Sequence, residues 1–116
     1  MNSVFSSVVS NRLQAPSQLI AATVACAFGL AAGDLAAATR HSARSALARQ
    51  TAMYLTHVVF GVTCSAVGRA FGRDPSTVRH ACALIETARD KAPFDRLLSH
   101  LECASRTFAA SLKVEA

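Results

Sequence analysis

Tryptophan is absent from the 116 residues, tyrosine occurs once, and aromatic side chains make up 6% of the chain. A core of this composition has to be built from alanine, leucine, valine and phenylalanine. Proline is scarce as well, with three residues in the whole sequence. Abundant alanine with few prolines favours helix. No alternating apolar–polar stretch is long enough to specify a half-buried strand, so the expected class is all-α. Clustered metal ligands are missing too: Cys26, Cys64, Cys82 and Cys103 stand apart and form no CxxC pair. A zinc site needs neighbouring ligands, which excludes that chemistry, and no cofactor is expected. Cys26 and Cys82 fall on apolar helix faces and read as small buried hydrophobes. Free thiols suit a reducing cytoplasm. The longest apolar run, LIAATVACAFGLAAGDLAAA, resembles a secretory leader only superficially. Arg12 lies late ahead of it, and the run is mostly Ala, Thr and Gly and contains Asp34, so neither export nor a membrane span is expected.

Acidic residues are also in short supply, 7 against 12 Lys and Arg, for a net charge of +5. The imbalance is local. Between Arg40 and His80 stand Arg40, Arg44, Arg49, Arg69, Arg73 and Arg79, with Asp74 as the single acidic residue. From Glu86 onward acids and bases balance. A block of arginine suits bidentate contacts to phosphate and guanine.

With 116 residues, one domain is the default. Residues 1–16, Ser-rich and closed by Pro16, read as a mobile tail. Ser17 is then the expected N-cap of a helix carrying Ile20, Val24, Ala27 and Phe28 on one face and stopping at Gly29. A polar, basic loop runs from Arg40 to Ser45. Ser45 is the expected cap of the next helix, whose buried stripe is Ala48, Ala52, Leu55 and Val59 and whose stop is Gly61. Arg49 and Gln50 lie on its outer side near the N-terminus, where free backbone N–H groups favour phosphate. A final helix spans Phe94 to about Leu112, with Leu97, Leu98, Leu101, Phe108 and Leu112 as its stripe and Ser105 interrupting it. That stripe reads as core, with pairing to a second copy as the alternative. The domain is thus 17–112, followed by a short tail, 113–116.

Between those helices lies VTCSAVGRAFGRDPSTVRHACALIE, Val62 to Glu86. Thr63 caps a short helix, Cys64 to Phe71, in which Val67, Ala70 and Phe71 face inward and Gly68 lets the partner helix come close. Gly72 suits its left-handed end. Asp74 as N-cap and Pro75 at the first helical position open a second helix. At 100° per residue Val78, Ala81, Cys82, Ile85 and the Arg89 stem share one side. Ser76, His80, Ala83 and Thr87 share the other, with Arg79 on its shoulder. Two short helices, a tight turn and a basic outer face make the pattern of a helix-turn-helix, which lays its second helix in the major groove. An ordinary helical hairpin with a solvated basic face is the bland alternative.

The run ARQTAMYLTHVVFGVTCSAVGRAFGRDPSTVRHACALIE, Ala48 to Glu86, with QLIAATVACAFGLAAGDLAAATR upstream, resembles the C-terminal DNA-binding domain of the bacterial replication initiator DnaA. The likeness extends over about Gln18 to Arg89. It implies that Arg40 or His41, with Arg44 close by, enters the minor groove, and that Arg49 and Gln50 grip phosphates. It further implies base reading by Asp74, Pro75, Ser76 and His80, and a phosphate contact by Thr77, with Arg73 in the basic turn. This chain departs from the family pattern in lacking the second Gly of AFGGRD, in carrying Pro75 where the family has a base-contacting His, and in having His41 and Ala48 where Arg and Pro are usual. Its sequence preference is therefore expected to differ from the family's. It also lacks the GxxxxGK[ST] loop of the initiator's ATPase domain, so no nucleotide is expected.

The expectation is a stand-alone, sequence-specific binder of double-stranded DNA, a transcription regulator or replication modulator in the bacterial cytoplasm, associated with the nucleoid. The alternative is a protein-interaction module that keeps the fold and has lost sequence reading. Enzymatic chemistry is not expected, because Cys64, Cys82, His57, His80 and His100 are dispersed and do not converge. His57 is expected on the exposed face of its helix.

Overall fold

The computed structural model describes residues 2–31 and 43–112, with side chains over 13–31 and 43–111. Among them are five helices and no strand: α1 (Asn2–Ala27), α2 (Ala43–Phe60), α3 (Cys64–Phe71), α4 (Pro75–Ala88) and α5 (Ala92–Leu112). Arg40, His41 and the tail 113–116 lie outside the described residues.

The first helix corrects two expectations. It does not start at Ser17 after a tail, but runs from Asn2 straight through Pro16. An interior proline removes one helical hydrogen bond and is normally costly. Here the helix carries Leu13, Pro16, Ser17, Ile20 and Val24 on one buried stripe, and burial of Leu13 and Ile20 offsets that cost. Ser17, expected outside as a cap, is buried and donates its hydroxyl to the Gln14 carbonyl at 2.9 Å. The stop is where glycine requires it: Gly29 has φ 71°, and Leu30 N–H closes back on the Ala25 carbonyl at 2.8 Å.

The central element is α2, which packs against each of the other four helices. Its buried set includes the expected Ala48, Ala52 and Leu55, but extends through Thr51, Met53, Tyr54 and Thr56. A helix surrounded by neighbours needs no polar face. The two buried threonines remain satisfied, donating to the Leu47 and Ala52 carbonyls at 2.8 Å each. Ser45 is not the cap, because α2 begins at Ala43 and Ser45 is already inside the first turn and buried. His57 is half-buried rather than exposed, and its Nδ1–H donates to the Val62 carbonyl at 2.7 Å, bracing the turn that follows Gly61.

The last helix lies against α2 and α1. Leu98 and Leu101 are buried in the chain's own core, so the inner stripe of α5 serves the fold itself. Ser105 continues that stripe with 0% exposure, and its hydroxyl has no hydrogen-bond partner among the described residues.

Candidate nucleic-acid interface

The short helix α3 begins as its sequence dictates. Thr63 is extended, and its Oγ1 accepts from the Ala66 N–H at 3.1 Å. It ends at Gly72, φ 67°, where the Arg73 N–H returns to the Gly68 carbonyl at 2.8 Å. This return brings the Arg73 backbone over Gly68. A Cβ on Gly68 would collide with the Arg73 carbonyl oxygen. The expected close neighbour of Gly68 is thus the turn itself rather than a partner helix.

Helix α4 opens with Asp74 in extended conformation and Pro75 at the first helical position. The Asp74 side chain makes no capping hydrogen bond, contrary to expectation. Its carboxylate therefore stays exposed, free to accept from a ligand. Val78, Ala81 and Ile85 are buried and seat α4 on α2 and α3. Ser76, Thr77, Arg79 and His80 are exposed, as are Ala83 and Thr87, and Pro75 is half-buried. The outward edge read from the sequence is the outward edge of the helix.

Arg49 and Gln50, near the start of α2, are half-buried. Burial, and second the nearby positive charge of Arg73, hold the Arg49 guanidinium below the ordinary arginine range. The charge of Arg73, in the turn before α4, is thus felt at Arg49 on α2. Arg44 is exposed and donates from Nη1 to the Phe28 carbonyl at 3.3 Å, near the C-terminal end of α1. Its contribution to an outward basic face competes with that contact.

Sequence reasoning missed two features. Leu84, on α4 one turn beyond His80, is 42% exposed. Placing it on the wheel beside His80 would have revealed an apolar side chain next to the polar edge. The second is a polar cluster at the other end of α4. Tyr54 donates its hydroxyl to Glu86 Oε2 at 2.7 Å and accepts from Arg89 Nη1 at 3.0 Å. Burial first, and then the bond to Glu86, hold the Tyr54 hydroxyl above its usual range, so it stays protonated at neutral pH. The single tyrosine of the chain was the available signal, since a buried phenol requires a partner.

Cys26 is exposed, which corrects the buried reading. Cys82 is half-buried, and burial, followed by Cys64 alongside, pushes its thiol up to about 11. A thiol held protonated is a poor nucleophile and a poor metal ligand. Among the described residues no three His, Cys, Asp or Glu side chains are grouped to hold a metal ion. Nor is any helix among them long and apolar enough to cross a membrane.

Residues 17–85 match the family model described as the bacterial DnaA protein helix-turn-helix. Among solved structures, one described as a DNA replication initiation factor superposes with a TM-score of 0.74 at 28% identity, over 84% of this chain. This chain spans 30% of that protein's length. No curated protein matches.

Proposed function

Since the chain belongs to the bacterial DnaA helix-turn-helix family, we propose that it binds double-stranded DNA with α4 in the major groove. The observation that carries this reading is the exposed polar edge of α4, formed by Ser76, Thr77, Arg79 and His80, with Arg73 in the turn before it and its positive charge felt at Arg49 of α2. Two guanidiniums held near one another are most stable when an anion lies between them, and the phosphate backbone supplies one. In this reading Arg49, Gln50, Arg73 and Thr77 hold phosphates and set the register. Asp74, Ser76 and His80 meet base edges, while Arg79 lies at the shoulder. Pro75 and Leu84 offer only apolar surface, which suits the thymine methyl. The segment with Arg40, His41 and Arg44 follows the minor groove. The protein acts as a regulator of transcription or of replication, in the cytoplasm on the nucleoid.

The test is a salt titration of binding to duplex DNA. About six phosphate contacts give a slope of log K against log salt of about −5. An absence of binding at low salt overturns the reading. One observation favours a second reading, a protein-interaction module: Pro75 removes both a side-chain hydrogen bond and a backbone donor where the groove would be read. Light scattering that shows a stable complex with a protein partner, in a chain that binds no duplex, would decide for it.

A further inference from the structure

Helix α4 is seated by a narrow apolar stripe, Val78, Ala81 and Ile85. These side chains hold its middle against α2 and α3. The distal end of α4 is held differently. Arg89, its C-terminal cap residue, donates from Nε to Asp95 Oδ1 at 2.6 Å, from Nη2 to Ser99 Oγ at 3.2 Å and from Nη1 to Glu102 Oε1 at 3.4 Å, all on α5. Its Nη1 also donates to the Tyr54 hydroxyl on α2 at 3.0 Å, and that hydroxyl donates on to Glu86 of α4 itself at 2.7 Å. Three helices are joined at one planar guanidinium, whose donors point in fixed directions.

We propose that Tyr54 and Arg89 are specificity-determining positioning residues, which aim α4 in the groove without touching DNA; this rests on the DNA-binding reading above. Tyr54 is 4% exposed and lies behind α4. From Arg89 to Ser76 the helix axis runs about 20 Å. A change of about 5° in that axis, pivoting at the latch, moves the base-facing edge by about 1.7 Å. Hydrogen bonds to base edges tolerate far less than that. Long arginine side chains on phosphates can follow such a shift. The latch therefore governs discrimination between sequences and leaves general affinity alone.

The experiment first selects a bound site from random duplexes with the wild-type chain. It then measures the affinity of wild type, Tyr54→Phe and Arg89→Lys for that site and for a scrambled duplex. Tyr54→Phe keeps the ring in the core and removes both hydrogen bonds, while Arg89→Lys keeps the charge and removes the fork. The ratio of selected-site to scrambled affinity is expected to fall roughly fivefold in either variant, the size of about one lost hydrogen bond. Affinity for the scrambled duplex and the salt slope are expected to stay unchanged. If Tyr54→Phe does not fold, Arg89→Lys, at the more exposed position, carries the test. An unchanged ratio in a folded variant, or equal loss on both duplexes, overturns the latch alone. A wild-type chain that binds duplex DNA without preference also overturns it. A wild-type chain that binds no duplex overturns the DNA-binding reading and the latch together.

Discussion

Burial, and after it the positive charge of Arg73 in the turn before α4, disfavour the charge of Arg49 on α2, and no ion pair joins either arginine to an acidic side chain among the described residues. Elsewhere in the same chain arginines are paired: Arg89 with Asp95 and Glu102, and Arg106 with Glu102. The contrast separates arginines paired within the fold from arginines that, in the proposed reading, meet phosphate.

Arg49→Ala is expected to weaken binding to selected and random duplexes alike, and to lower the magnitude of the salt slope by about 0.9, one phosphate contact. His80→Ala is expected to leave random binding intact and to cost about 1–3 kcal/mol on the selected site. Fluorescence anisotropy on both duplexes across a salt series measures both. Identical effects of the two substitutions would contradict the assignment of Arg49 to phosphate and His80 to bases.

Ser105→Ala is expected to stabilise the domain by about 1 kcal/mol. The Ser105 hydroxyl is fully buried without a partner among the described residues, and alanine removes the desolvation cost while leaving only a small gap. Urea unfolding gives the answer, and a lower midpoint for the variant would mean that the hydroxyl has a partner after all.

Gly68→Ala is expected to cost about 2 kcal/mol or more, because the added methyl meets the Arg73 carbonyl and neither backbone can move without opening the turn. Gly61→Ala makes a useful control. Gly61 has φ 64°, and a methyl added there would meet nothing within 4 Å, so its cost is only the left-handed strain of about 1 kcal/mol. Thermal midpoints of the two variants should rank accordingly.

The Glu102 carboxyl is held below its usual range, first by its hydrogen bond to Arg106 and then, against opposing burial, by Arg89. A depressed folded value means a contribution to stability that is complete above the unfolded value, about 4.3, and is lost as pH falls through the folded one. Glu102→Gln is therefore expected to be less stable than wild type at neutral pH and to show a shallower loss of stability on acidification below about pH 5. Parallel acid profiles of the two proteins would remove Glu102 from the linkage.

The turn region is legible in the sequence because its signals are local. Thr63, Gly72 and Pro75 act on the backbone within a few residues, and the outer edge of α4 follows from helix geometry and the positions of Val78, Ala81 and Ile85 alone. What escapes such a reading is set by distant neighbours. Pro16 ends a helix only when nothing compensates, and the burial of Leu13 compensates. Ser45 and His57 depart from their expected places because α2 packs against all four other helices, which no property of α2 announces. Asp74 opens its helix as expected, but a carboxylate near the right N–H groups need not bond to them. The Tyr54–Arg89 latch joins residues 35 positions apart, and only the fold brings them together.

The continuity of α1 through Pro16 also determines where this domain can be cut. A fragment that begins at Ser17, the break that composition suggests, would delete Leu13, a side chain only 1% exposed, and open a hole in the core. The loss of a buried leucine costs about 2–5 kcal/mol, a large share of the stability of a small domain. Expression of the shorter fragment would then report an unfolded chain and a loss of DNA binding that has nothing to do with the groove-facing residues. The working unit extends upstream of the proline at least as far as Leu13.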